Sequence, residues 1–139
     1  MSLWVLDTDT LSLLFRGHAR VVARVADKPS DQLAVSIITV EELLSGWYAR
    51  IRHARTDDAI ERAYLALQQS VQFIAQVHLL PFDKPAIVHF NRLRRLHRRI
   101  GTNDLRIAAI SIQNRATLVT RNKSDFSTID GLGTENWAD

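Results

Sequence analysis

Short apolar runs separated by longer helical stretches are the feature that most limits how this chain can fold. Four runs rich in Val and Leu, at residues 3–6, 33–36, 77–80 and 117–120, are typical of buried parallel strands. Residues 134–137 form a weaker fifth candidate. Strands that alternate with helices favour a mostly parallel sheet with helices on both faces. We therefore predict an α/β fold with four to five strands.

The segments between these runs carry helical signals. Apolar residues recur at intervals of three and four from Ile60 to Ile74, which predicts an amphipathic helix over residues 57–76. Asp83 is expected to cap the next helix, with Pro85 in its first turn and Ile87, Phe90 and Leu93 facing inward. Residues 39–42 match a capping box and predict another helix start.

The bulk composition restricts the class of protein. The chain has 139 residues without repeats or Gly/Ser linkers, so we expect one domain over residues 1–139. The absence of cysteine excludes disulfides and thiolate metal sites and favours a reducing cytoplasm. No basic leader or long apolar stretch is present, so we expect a cytoplasmic protein without a membrane partner.

Acidic residues follow the predicted strands. Asp7 and Asp9 come directly after the first run, Glu41 and Glu42 shortly after the second, and Asp125 just beyond the fourth; Asp104 opens a further predicted helix. Ligands of parallel sheets bind outside the carboxyl ends of the strands, so the topology can gather these carboxylates in one crevice. Hard cations such as Mg²⁺ take oxygen ligands and can activate water for phosphodiester hydrolysis. The five histidines are scattered without ligand spacing, which argues against zinc.

Each carboxylate also has a purely structural interpretation. Asp7 or Asp9 can cap the first helix, Glu42 can close the capping box, and Asp104 complements a helix dipole. Asp125 can be a turn residue. The hypothesis of a metal site depends on their joint placement.

Arginines cluster between residues 91 and 99, where no acidic residue interrupts them. Such a stripe can contact a phosphate backbone, or it can be an ordinary solvated helix face. The candidate phosphate-binding residues of this stripe, which would bind RNA if the chain acts on RNA, are Arg94, Arg95, Arg98 and Arg99.

Four motifs in order resemble those of the PIN-domain ribonucleases, in particular the VapC-like toxins of bacterial toxin–antitoxin modules. They are VLDTDTLS, ITVEELLSG, GTNDLRIAAIS and LVTRNKSDF, and the closing GLGTENW is similar to the family's last strand. Residue by residue, the resemblance assigns Asp7, Glu42 (rather than Glu41), Asp104 and Asp125. Relatives usually carry Asn where Asp9 stands, so Asp9 is a candidate fifth carboxylate here. Some relatives have the fourth acid where Asn122 stands.

The resemblance implies a three-layer PIN-like fold, dependence on Mg²⁺ or Mn²⁺, homodimerisation and inhibition by a cognate antitoxin. We expect Asp7, Glu42 and Asp104 to hold a divalent ion directly or through waters. Asp125 would assist a second ion or orient the attacking water, with Asp9, Thr120 and Asn122 in support. The expected activity is endoribonucleolytic cleavage of RNA as the toxin of such a module.

Two other functions remain open on the residues. DTDTL at residues 7–11 starts like the nucleophile motif of haloacid-dehalogenase-like phosphatases, but Leu11 departs from it and Asp57-Asp58 comes too early to be their metal pair. The second is a catalytically silent module that binds nucleic acid or antitoxin.

Overall fold

The sheet is central, five-stranded and parallel throughout. The computed structural model describes residues 2–139. The strands are β1 (Trp4–Leu6), β2 (Leu33–Ser36), β3 (His78–Leu80), β4 (Thr117–Val119) and β5 (Gly133–Glu135). Their spatial order is β3-β2-β1-β4-β5, with Val5 opposite Ala34 on one side and Leu118 on the other. Because β1 lies in the middle, its carboxyl end is flanked by those of β2 and β4.

Helices connect the strands. They are α1 (Thr8–Phe15), α2 (Ala19–Ala26), α3 (Ile37–His53), α4 (Asp57–Ile74), α5 (Lys84–Leu96), α6 (Thr102–Gln113) and the short α7 (Lys123–Phe126). A 3₁₀ turn, Ser30–Gln32, precedes β2. None of the helices in residues 2–139 combines the length and the hydrophobicity needed to cross a lipid bilayer.

Alternation along the strands builds a core on each face of the sheet. Val5 and Leu118 belong to a cluster with residues of α5 and α6, whereas Leu6 and Val119 belong to a second cluster with residues of α1 and α3. Successive strand residues point to opposite faces, which explains the division. Each fully buried aliphatic side chain stabilises the fold by roughly 1.5–3 kcal/mol relative to an exposed one. The site at the strand ends therefore rests on a rigid, doubly covered sheet.

The predicted fold class and all five predicted strands are confirmed, with strand ends shifted by at most two residues. Asp83 caps α5 as expected, accepting a hydrogen bond from the Ala86 N–H at 3.2 Å. The prediction that Ile87 faces inward is wrong, because Ile87 is 37% exposed and Ala86 is buried instead. Ala86, Phe90 and Leu93 lie at i, i+4 and i+7, so the buried stripe is one position further round the helix than expected.

The long helix α4 is present, but it ends at Ile74 rather than at residue 76. Its apolar stripe is largely open to solvent: Ile60 is 39% exposed, Tyr64 55% and Val71 54%. The helix packs against α3 with Ala63 fully buried. The spacing of apolar residues thus predicted the helix correctly. Which of its faces is buried depends instead on how α4 packs against α3.

Candidate functional site

Asp7 stands at the carboxyl end of β1, in the middle of the sheet. Its backbone is extended (φ −71°, ψ 171°), so it forms the N-cap of α1, and its Oδ1 accepts a hydrogen bond from the Thr10 N–H at 2.8 Å. The side chain is buried, and burial is the largest influence on the Asp7 pKa, which is raised. Hydrogen bonds from the Thr120 side chain and the Thr10 N–H lower the pKa in part, and the Asp9 charge raises it. The capping role is therefore real, and it also fixes a buried carboxyl group beside Thr120.

Glu42 does not close a capping box, contrary to the structural interpretation of residues 39–42. Helix α3 begins earlier, at Ile37, with Ser36 as N-cap accepting a hydrogen bond from the Thr39 N–H at 3.1 Å. Since Ser36 supplies the cap, the Glu42 carboxylate is free to accept hydrogen bonds across the site. It does so from Thr8 Oγ1 at 2.5 Å and from Asn103 Nδ2 at 3.3 Å. Both donors are neutral, so they orient the Glu42 carboxylate without compensating its negative charge.

Asp104 lies in the first turn of α6, which Gly101 begins without a side-chain cap. The side chain is partly buried, and burial is the first cause of its raised pKa. The charges of Asp7, Glu42 and Asp125, in that order, raise the pKa of Asp104 further. Carboxylates from three other segments are thus close enough for their charges to act on Asp104, and we call the region around these four side chains the carboxylate crevice.

Asp125 and Asn122, the two candidates for the fourth position, lie side by side in and before α7. Asn122 Nδ2 donates to Asp125 Oδ2 at 2.9 Å, and the Asn122 N–H donates to Thr120 Oγ1 at 3.0 Å. Asp125 is exposed, whereas Thr120 is fully buried. Asn122 therefore links the Thr120 hydroxyl at the floor of the crevice to the Asp125 carboxylate at its rim.

Asp9 is exposed and does not add an uncompensated fifth carboxylate. Arg121 binds it with two hydrogen bonds, Nε to Oδ2 at 2.6 Å and Nη2 to Oδ1 at 2.8 Å. Asp9 is the first cause of the raised pKa of Arg121, through this hydrogen bond and its charge. Two-point binding of a carboxylate by a guanidinium fixes orientation as well as charge. Asp9 consequently ties the start of α1 to the loop after β4.

Three residues whose side chains contact these carboxylates across the chain were not identified from the sequence: Thr8, Asn103 and Arg121. Each is the immediate neighbour of a predicted site residue inside a quoted motif. A polar or cationic residue next to a candidate metal ligand is only weak evidence of a role in the site. The carboxylate that each of these residues contacts lies 34 or more positions away along the chain, so the sequence does not show the pairing. Only the fold brings these pairs together.

Direct coordination is not preformed within residues 2–139, because no three His, Cys, Asp or Glu side chains converge closely enough to hold one ion among them. The donor set nevertheless suits a hard divalent cation, since it consists of oxygens and carries several uncompensated negative charges. Mg²⁺ dehydrates reluctantly and usually keeps several waters, so carboxylates around a crevice can hold it through them.

The four arginines assigned to RNA binding all lie on the surface, at and after the end of α5. Arg95, Arg98 and Arg99 line a depression of about 530 Å³ together with Asp125. Arg94 lies outside it, with its guanidinium 5.6 Å from the centre of the Phe90 ring. Three of the four therefore lie beside Asp125, one of the four candidate acids.

Two known proteins with sequences similar to this chain both carry the name VapC. Ribonuclease VapC1 of Haemophilus influenzae strain R2866 is 29% identical over 137 residues, covering 97% of this chain and 98% of the relative. The tRNA(fMet)-specific endonuclease VapC of Shigella flexneri is 24% identical over 139 residues, with 97% and 98% covered.

Solved structures show the same architecture. DNA-bound VapBC from Salmonella typhimurium matches with a TM-score of 0.80 and 25% identity over 99% of both chains. VapBC-1 from nontypeable Haemophilus influenzae matches with a TM-score of 0.75 and 26% identity, again over 99% of both chains. The PIN domain family matches residues 4–132, the span that contains all four acidic motifs. The chain therefore belongs to the PIN domain family.

Proposed function

We propose that this protein is a Mg²⁺-dependent endoribonuclease and the toxin component of a toxin–antitoxin module. The observation that carries the proposal is the gathering of acidic side chains from four segments around Asp104, whose pKa is raised first by burial and then by the charges of Asp7, Glu42 and Asp125. Its relatives include proteins named ribonuclease VapC and tRNA(fMet)-specific endonuclease VapC, which supports RNA as the substrate.

A divalent cation fits this crevice better than any group of the protein itself. Glu42 is held by neutral donors, Asp7 is buried and capped by an N–H, and Asp104 faces three like charges. Apposed carboxylates repel unless a cation or a proton compensates them. We assign Asp7, Glu42 and Asp104 to Mg²⁺, or to Mn²⁺ in its place, largely through water. When bound, the ion would lower the pKa of an attacking water and stabilise charge on the leaving oxygen.

The chain's own residues then have distinct tasks. The Thr10 N–H fixes Asp7, while Thr8 and Asn103 fix the two oxygens of Glu42. We assign to Asp125, which accepts a hydrogen bond from Asn122, the task of accepting a proton from the water that attacks the phosphodiester. Water would attack the phosphorus in line with the P–O3′ bond, which breaks, so that the products are a 5′-phosphate and a 3′-oxygen that takes a proton from solvent to become a 3′-hydroxyl. The RNA 2′-hydroxyl takes no part, so no 2′,3′-cyclic phosphate forms.

The depression lined by Arg95, Arg98 and Arg99 suits the phosphate backbone of the RNA. It adjoins Asp125, so phosphates bound there would continue directly into the crevice. Arginine contacts with phosphates supply much of the affinity for nucleic acid and make it depend on salt.

Partner proteins follow from the relatives and from the surface. Similar structures are described as VapBC and as a toxin–antitoxin complex, which supports a cognate antitoxin here.

Helix α3 carries an apolar surface formed by Ile37, Val40, Leu44 and Tyr48, of which Ile37 is 38% and Tyr48 52% exposed. We propose this surface as the interface of a homodimer. We also propose that the protein acts in the cytoplasm, where it would meet both an RNA substrate and an antitoxin made by the same cell.

The phosphatase alternative is not favoured. Asp9, which would be the second aspartate of its nucleophile motif, is bound at two points by Arg121, and Asp57-Asp58 opens α4 away from the strand ends. A catalytically silent binding module would retain the arginines but would not need the uncompensated carboxylates.

The test is cleavage of a mixed, structured RNA pool by the purified chain without antitoxin, in Mg²⁺, Mn²⁺ or EDTA. Asp7→Asn is the matched variant, because Asn is as good an N-cap as Asp but cannot ionise. We expect metal-dependent cleavage with 5′-phosphate ends by the wild type and none by Asp7→Asn. Products with 2′,3′-cyclic phosphates would refute the mechanism, and phosphoenzyme formation at Asp7 would favour the phosphatase.

A further inference from the structure

Arg121 stands in the loop after β4, between two residues that belong to the carboxylate crevice. Before it, the Thr120 side chain is hydrogen-bonded to Asp7. After it, Asn122 Nδ2 donates to Asp125 Oδ2 at 2.9 Å. The turn is fixed, because the Asn122 N–H donates to Thr120 Oγ1 at 3.0 Å. Arg121 therefore leaves the backbone at a fixed point between the buried and the exposed acids of the crevice.

The guanidinium of Arg121 is oriented by Asp9 but not saturated by it. Nε and Nη2 donate to the two Asp9 oxygens at 2.6 and 2.8 Å. These are the hydrogen bonds that the side chain makes within residues 2–139, and a guanidinium has further N–H groups. The ion pair is open to solvent, with 50% of the Arg121 side chain and 46% of the Asp9 side chain exposed. The remaining N–H groups can therefore donate to a second anion.

The charge of Arg121 also interacts with the crevice. The first cause of the raised Arg121 pKa is the hydrogen bond to Asp9, and the Asp7 charge raises it further. The guanidinium is thus near enough to the Asp7 carboxylate for the two charges to attract each other. An ion pair as exposed as that of Arg121 and Asp9 adds little to the stability of a fold. Sharing the guanidinium with a phosphate would consequently cost the fold little.

We propose that Arg121 is a catalytic residue that binds the scissile phosphate of the RNA, and that Asp9 positions its guanidinium. The proposal rests on the proposed nuclease function and adds a residue to it. As water attacks the phosphorus, negative charge increases on the non-bridging oxygens, and hydrogen bonds from a guanidinium to these oxygens become stronger. Arg121 stays protonated throughout, because its pKa lies far above neutral pH.

The alternative is that the ion pair only ties α1 to the loop after β4. In that case, removing either partner should have the same effect on RNA binding. If Arg121 binds a phosphate, Arg121→Gln removes a cation that contacts the RNA, whereas Asp9→Asn leaves the cation and removes a negative charge beside it. The two variants break the same ion pair and change the charge in opposite directions, so each is the matched control of the other.

The experiment measures binding of a mixed, structured RNA pool, in Mg²⁺ and at several salt concentrations, to the Asp104→Asn protein, in which the RNA is expected to stay intact. Arg121→Gln, Arg121→Lys and Asp9→Asn are each added to this protein. Arg20→Gln, on the exposed surface of α2, is the control for loss of an unrelated cation. Thermal unfolding of each variant verifies the fold. The same substitutions in the otherwise wild-type protein give kcat and KM for cleavage.

We expect Arg121→Gln to weaken RNA binding about tenfold, as for the loss of a hydrogen bond to a charged group. Its salt slope should fall by about 0.7, the value for one phosphate contact to a single strand. Arg121→Lys and Arg20→Gln should keep the slope, and Asp9→Asn should bind at least as tightly as its parent. In cleavage, Arg121→Gln should lower kcat about a hundredfold, more than it raises KM, and Arg121→Lys should recover part of the loss.

Equal losses of RNA binding in Arg121→Gln and Asp9→Asn would overturn the assignment and leave the pair as a structural tie, as would an unchanged salt slope in Arg121→Gln. Cleavage by the wild type is scored separately. If the wild type cuts RNA and Arg121→Gln keeps its kcat, the assignment fails and the nuclease stands. If the wild type cuts no RNA while Arg121→Gln alone lowers the salt slope, phosphate binding by Arg121 is supported and the nuclease fails.

Discussion

Replacing Asp104 with Asn should stabilise the metal-free protein, although it removes a first-turn acid from α6. An acidic residue at a helix start contributes about 0.3–1 kcal/mol. Against this stand the partial burial of Asp104, which is the first cause of its raised pKa, and the charges of three carboxylates, which raise the pKa further. Two unit charges 4 Å apart repel by about 1 kcal/mol in water and by about 4 kcal/mol near a protein surface. Allowing for screening of the exposed Asp125, we expect a net gain of about 1 kcal/mol.

The pH dependence of this gain has a definite sign. A carboxyl group whose pKa is raised by folding contributes stability below its unfolded pKa, and this contribution is lost as the pH rises through the folded pKa. The pKa of Asp104 is raised from 3.8, so the wild type loses this contribution with increasing pH and Asp104→Asn does not. The two proteins should therefore unfold at similar temperatures at low pH and diverge toward neutral pH.

Thermal unfolding followed by circular dichroism in EDTA measures the effect. For a chain of this length, 1 kcal/mol corresponds to a rise in Tm of about 3–5 °C. Adding Mg²⁺ should reverse the order, since a ligand at a hundred times its Kd stabilises by about 2.7 kcal/mol and the variant binds it weakly. Asp130→Asn, an exposed acid in the loop before β5, is the control and should shift stability by less than about 0.5 kcal/mol. A lower Tm for Asp104→Asn in EDTA at neutral pH would refute the idea that neighbouring carboxylates repel Asp104. It would mean that the main effect of Asp104 is to stabilise α6 through the helix dipole.

Three further predictions test other contacts. Asn103→Ala should leave Tm nearly unchanged but reduce kcat about tenfold, because Glu42 loses one of its two orienting donors; an unchanged kcat would contradict that role. Glu135→Gln should destabilise the protein by about 1 kcal/mol in urea unfolding at pH 7, since Glu135 accepts hydrogen bonds from the Trp137 and Trp4 indoles. The pKa of Glu135 is lowered, first by Trp137, so the wild type should lose this advantage as the pH falls through that pKa, and a pH-independent difference would argue against it. Replacing Arg95, Arg98 and Arg99 with Ala should weaken RNA binding and flatten its salt dependence, whereas Arg94→Ala, outside the depression, should leave the slope unchanged.

Much of the fold and part of the site could be predicted from local patterns. Apolar runs of strand length and their alternation with helices predicted the parallel sheet, because burial on both faces demands such runs. The positions of Asp7 and Asp125 after strands predicted a common crevice, because parallel strands present their carboxyl ends at one edge. The motif resemblance separated Glu42 from Glu41, and Glu41 is indeed exposed while Glu42 accepts hydrogen bonds within the site.

Predictions from local sequence patterns were wrong or missing where a residue contacts another that is distant in the sequence. Residues 39–42 fit a capping box, yet Ser36 caps α3, so Glu42 is released to Thr8 and Asn103. Asp9 gave the pattern of a fifth carboxylate, yet Arg121, 112 positions away, compensates it. Likewise, no pattern pointed to the unpartnered indole of Trp47 between α1, α3 and α4.

The sequence by itself determined the element types, the parallel sheet and the family, since each depends on residue type and short-range spacing. Tertiary structure decided which charges are compensated and which are not. Charge compensation depends on distances of about 3 Å between side chains that folding alone brings together. The same limit explains the rotation of α4 and α5, because the buried face of a helix is chosen by the surface against which it packs.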